Sequence, residues 1–112
     1  MQIKKTYTEV SPELLYSEIR DFVLKQGATL GENKLETFTL PDESASFVTR
    51  ATLIFNTGEG KAAKECLRAH IVGMARGETK LMIDIDEKSF AQDKYKALQS
   101  DLDFIFGAYE VK

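Results

Sequence analysis

The sequence predicts an α+β domain: a single five-stranded antiparallel sheet with two helices on one face, in the order β-α-β-β-β-β-α. Three observations carry this. A segment near each end of the chain repeats apolar residues at helical spacing, and the stretches between them alternate with period two. Turn residues break those stretches at intervals too short for crossover helices, so the strands are hairpin-linked and pair antiparallel. Two amphipathic helices suffice to cover one face of such a sheet and leave the other uncovered.

Gln2 to Val10 carries Thr6, Tyr7, Thr8 and Val10 and reads as a strand. Only Ile3 and Tyr7 clearly share a face, which suits an edge position. Ser11-Pro12-Glu13 then opens a helix, with serine as N-cap, proline at the first helical position and an acid at the positive dipole end. Val10 and Leu15 stand at hydrophobic-staple positions. Leu15, Ile19, Phe22 and Val23 form its buried stripe, and Gly27 ends it.

Ala28 to Leu30 begins the next strand, Gly31-Glu32-Asn33 marks a turn or bulge, and Lys34 to Leu40 resumes it before a turn at Pro41-Asp42-Glu43-Ser44. In Ser46 to Asn56, Phe47, Thr49, Ala51, Leu53 and Phe55 share one face, with Val48, Arg50, Thr52 and Ile54 on the other. Thr57 to Lys61 is a hairpin loop. Glu65 to Arg76 is a strand with Leu67, Ala69 and Ile71 opposite Cys66, Arg68, His70, Val72 and Met74. Gly77-Glu78 fits a tight turn into Thr79 to Asp86, whose Leu81, Ile83 and Ile85 point inward. Ser89 to Lys112 is the second helix. Ser89 and Gln92 match a capping box, and Ala91, Tyr95, Leu98, Leu102, Ile105 and Tyr109 form its stripe. Phe104, Phe106, Ala108 and Val111 make its end apolar almost all round, which implies core, a pocket wall or a subunit contact there.

At 112 residues the chain is long enough for one domain, residues 1–112, with its own core, and 43% hydrophobic with 29% charged residues is an ordinary globular balance. A net charge of −3 with scattered cations argues against a nucleic-acid partner. A single cysteine leaves no internal disulfide and no cysteine-built metal cage. Met1 to Lys5 lacks the apolar run of a signal peptide, and no apolar stretch approaches membrane-spanning length. The expected setting is the cytoplasm, with no membrane partner and no cofactor.

This element order, closed by the helix from Ser89 to Tyr109, resembles a reduced helix-grip fold of the START and Bet v 1 type. It is also similar to a single repeat of the TATA-binding-protein fold. The helix-grip resemblance implies a hydrophobic ligand held between helix and sheet.

The constellations that suggest chemistry meet simpler readings. Gly58-Glu59-Gly60-Lys61 is no phosphate loop, because the position that needs the first glycine is Phe55 and the residue after the lysine is Ala62. Cys66 and His70 share a strand face, but four residues of strand separate them by roughly 13 Å, too far for a nucleophile and its base. Arg68 and His70, with Arg50 alongside, could receive an anionic head group; pairing of the arginines with Asp84 or Glu36 is the favoured alternative. Asp84, Asp86 and Glu87 are better read as a solvated strand end than as a metal site.

The leading expectation is therefore a non-catalytic domain binding a small apolar or amphipathic ligand between the C-terminal helix and the sheet. Tyr95, Leu102, Phe106, Tyr109 and Met74 would line the site, and Arg68 and His70 would form its polar end. The alternative is a homodimer built through the uncovered sheet face (Val48, Ile54, Val72, Met82) or its edge strand. A cyclase- or hydratase-type enzyme with His70 as base is a third reading.

Overall fold

A computed structural model of the protein describes residues 1–39, 47–58, 60–74 and 77–111. The elements follow the expected order: β1 (Gln2–Thr8), α1 (Pro12–Lys25), β2 (Thr29–Thr39), β3 (Phe47–Thr57), β4 (Lys64–Met74), β5 (Glu78–Ile85) and α2 (Gln92–Phe106). The five strands form one sheet in the order β1-β5-β4-β3-β2, antiparallel throughout, so the first strand lies beside the last. The turn expected at Pro41 to Ser44 lies outside the described residues. No helix among the described residues is long and apolar enough to cross a membrane.

Local chemistry places α1. The Leu14 N–H donates to the Ser11 hydroxyl at 3.1 Å, so the N-cap is made as expected, and Val10 and Leu15 are both buried. Gly73 lets the helix start lie against the sheet: a Cβ there would stand 2.5 Å from Pro12 Cγ. Gly27 ends the helix at φ +96°. Leu15, Ile19 and Val23 from α1 and Leu98, Leu102 and Phe106 from α2 meet Ala51, Leu53, Phe55, Leu67, Ile71, Leu81 and Ile83 in one core. Tyr7 joins it edge-on to Phe106, ring centroids 5.8 Å apart.

Several details differ from expectation. The last helix starts at Gln92, with Ala91 as N-cap and no side-chain cap. Ser89 instead donates its hydroxyl to Asp86 at 2.9 Å, and Asp86 also accepts from the Lys88 N–H, so the acid organises the turn before the helix. The Ser89 bond, then the Lys88 bond, hold the Asp86 carboxyl below its ordinary value. The α-helix gives way at Gly107 to a short 3-10 turn over Gly107–Tyr109. The buried stripe runs Tyr95, Leu98, Leu102, Phe106, so Phe106 is buried in place of Ile105, which like Tyr109 is about four-tenths exposed, and Phe104 is 90% exposed. The expected disruption near Gly31 is present as a register shift between Leu30 and Asn33 within one continuous strand. A second shift, at Phe55 and Asn56, accompanies burial of both Cys66 and Leu67, which simple alternation placed on opposite faces.

The two sheet edges differ. Beside β1 the chain end adds a partial strand: Val111 donates its N–H to the Thr6 carbonyl at 2.7 Å, and Glu110 bridges to Tyr7. No described strand pairs with the outer edge of β2.

Candidate functional site

The register of the sheet fixes what its uncovered face presents. Even-numbered residues of β1 and β5, of β3 up to Ile54 and of β4 from Arg68 on point away from the helices, and strand pairing lines them up in rows. One row runs Thr52, His70, Met82, Lys4; the next runs Arg50, Val72, Lys80, Thr6. These two rows place Lys4 and Lys80 around the partly covered apolar side chains of Val72 and Met82, with His70 adjoining.

At this place the surface carries an open groove of about 400 Å³, lined by Lys4, Thr6, His70, Val72, Lys80 and Met82 and bounded at the sheet edge by Glu110 and Val111. The volume is within the size range of small-molecule sites. Neither Lys4 nor Lys80 has an ion-pair partner among the described residues. The third lysine of the lining, Lys5, is engaged, 3.2 Å from Glu110 and 3.4 Å from Asp103. Burial alone would lower its pKa, but the hydrogen bond to Glu110 and the charges of Asp103 and Glu110 outweigh that and raise it. The His70 ring is steered from its Nδ1 side by the Thr52 hydroxyl, 3.5 Å away.

The seven residues expected to form one lining do not meet, because the sheet runs between them. Arg68, His70 and Met74 lie on the uncovered face. Tyr95, Leu102 and Phe106 are on the other side, inside the core, and Tyr109 sits in the 3-10 turn after α2. Met74 and His70 belong to different grooves: Met74 borders one of about 370 Å³ beside Val10, Pro12 and Phe47. Arg68 pairs with Glu65 of its own strand at 2.8 Å, although Asp84 stands opposite it in the register. Cys66 is buried and directs its thiol to the Phe55 carbonyl at 3.5 Å, and burial is the first cause of its raised pKa. It has no part in a site with His70. No group of three or more acidic, histidine or cysteine side chains among the described residues is arranged to hold a metal ion.

Sequence reasoning missed Lys4 and Lys80. The signal for Lys80 was its alternation with Leu81 and its place across the hairpin from Val72. Lys4 joins the same site only because β1 pairs with β5, a contact that adjacency in the chain does not announce. Protein-family models, curated proteins and solved structures offer no match to this chain.

Proposed function

We propose that the protein is a non-catalytic binding domain that takes a small amphipathic anion on the uncovered face of its sheet. One observation carries this: two lysines with no ion-pair partner among the described residues flank an apolar floor in a groove of ligand size, on a chain whose net charge is −3. A surface of this kind suits a carboxylate, sulfonate or phosphate ester with a short apolar body. The body covers Val72 and Met82, and the anionic end lies between Lys4 and Lys80. This placement differs from a grip between helix and sheet, where Leu98, Leu102 and Phe106 fill the space as core.

The test titrates decanoate and, separately, decanol into isotopically labelled protein and follows amide shifts. Decanoate is expected to move Thr6, His70, Val72 and Met82, with decanol at least about tenfold weaker, since losing two ionic contacts costs about 1 to 2 kcal/mol. Lys4→Gln with Lys80→Gln should weaken decanoate to the level of decanol. Equal binding of acid and alcohol, or shifts confined to α2, would overturn the proposal.

A further inference from the structure

The edge of β2, an 11-residue strand, is covered by no described strand. The opposite edge is partly capped, at Thr6 and Tyr7, by Glu110 and Val111, while no described residue pairs with the edge of β2. Beyond the bulge, β2 also stands clear of the core. Every residue from Glu32 to Thr39 is exposed, including Leu35 at 38% and Phe38 at 47%.

The sequence of that edge is complementary to itself. The β2–β3 register puts Lys34 and Glu36 on the uncovered face and Leu35 on the helix face. When two copies of a strand pair antiparallel about a two-fold axis normal to the sheet, each residue meets one of its own face. With Leu35 on the axis, Lys34 of each copy opposes Glu36 of the other, and leucine meets leucine. Moving the axis to Lys34 or Glu36 sets like charges against each other, and moving it to Thr37 pairs no charges. Moving it to Asn33 runs the Leu30–Asn33 irregularity through the ladder.

From this we infer that the protein forms a two-fold homodimer by antiparallel pairing of β2 with β2 of a second copy, Leu35 at the axis. The two sheets become one continuous sheet with both uncovered faces on the same side. The outermost strands are then the two β1 strands, so the Lys4–Lys80 grooves sit at opposite ends and take no part in the contact. Face-to-face association is the poorer arrangement, since it brings Lys4, Lys80 and Arg50 of both copies together.

Sedimentation equilibrium across about 1 to 200 µM tests this, with circular dichroism confirming the fold of each variant. Wild type is expected to dimerise in the micromolar range. Glu36→Lys replaces two attractive pairs by two repulsive ones and should weaken the dimer about tenfold or more. Adding Lys34→Glu restores complementarity with the signs exchanged, and should return the affinity to within about threefold of wild type. Both side chains are exposed and pair with each other at 3.6 Å. Glu36 also stands opposite Arg50, so Glu36→Lys sets like charges together within the monomer, and thermal unfolding of each variant reads that cost separately from association. A monomer throughout the range would overturn the inference. So would a dimer indifferent to Glu36→Lys, one not rescued by the exchange, or one broken instead by Met82→Glu.

Discussion

The Lys5 ammonium lies 3.2 Å from the Glu110 carboxylate, joining the first strand to the last turn of the chain. The contact is about four-fifths shielded from solvent on both sides, which sets it apart from the other ion pairs found among the described residues. It also stands where the chain end pairs with the β1 edge, so its electrostatics and the closure of the sheet are one structural event. Glu110→Gln is expected to destabilise the fold by about 1 kcal/mol near neutral pH. Amide exchange should quicken at Val111 and along β1 while β3 and β4 are unaffected. Urea unfolding and hydrogen exchange read the two effects separately.

The same carboxylate also raises the pKa of Tyr7, here by repelling the tyrosinate rather than by holding an ammonium. Its ring is fully buried and its hydroxyl has no hydrogen-bond partner among the described residues. Burial first, then the charges of Glu110 and Asp103, push its pKa up to about 12 from an ordinary 10.0. The folded state therefore holds the phenolic proton more tightly than the unfolded chain. Its contribution to stability is whole below about pH 10 and is lost as pH rises through about 12, on the order of 2 kcal/mol. Tyr7→Phe removes an orphaned hydroxyl and should leave stability at neutral pH equal or higher by up to about 1 kcal/mol. It should also flatten the alkaline loss and delete the latest step in tyrosinate absorbance.

A pair of carboxyl groups faces across the two helices. Asp101 of α2 lies against Glu18 of α1, and one Asp101 oxygen is buried without a partner among the described residues. Hydrogen bonding to Asp101 is the largest cause of the raised Glu18 pKa; burial and the charges of Asp101 and Asp21 add to it, against Lys25. A raised carboxyl pKa means the fold favours the protonated form, so its stabilisation is present in acid and lost as pH rises. Asp101→Asn supplies a neutral donor to Glu18. It should stabilise the protein near pH 7 by a few tenths to about 1 kcal/mol, and by less near pH 4. Urea midpoints at the two pH values check the sign.

How far the sequence reached follows from the range of each signal. Ser11-Pro12, the period-two run from Phe47 to Phe55 and the glycine at position 27 are local features, and each produced its element. The start of α2 was misplaced because Ser89 and Gln92 satisfy a capping pattern, while Asp86, three residues before Ser89, competes for the hydroxyl and wins. The candidate site depended on longer-range information. Alternation correctly grouped Arg68, His70 and Met74, and helical periodicity correctly grouped Tyr95 and Leu102, but no local pattern says on which side of the sheet a helix will lie. Lys4 entered the site only through the pairing of β1 with β5, more than 70 residues apart in the chain (Lys4 against Met82).

That division between core and uncovered face gives the sharpest mutational contrast. Leu102 is fully buried among residues of both helices and the sheet, so Leu102→Ala removes packed methyl groups and leaves a cavity. A loss of about 2 to 5 kcal/mol is expected, enough to shift the thermal midpoint by many degrees in a domain this size. His70, half-covered on the open face and held among the described residues by a 3.5 Å contact to Thr52, is a different case. His70→Gln keeps a polar side chain at that spot and should change stability by no more than about 0.5 kcal/mol. Decanoate binding should reverse the order: Leu102→Ala, while still folded, keeps wild-type affinity, and His70→Gln weakens it. If Leu102→Ala instead abolished binding at a temperature where the variant is fully folded, the ligand would lie on the helix side of the sheet after all.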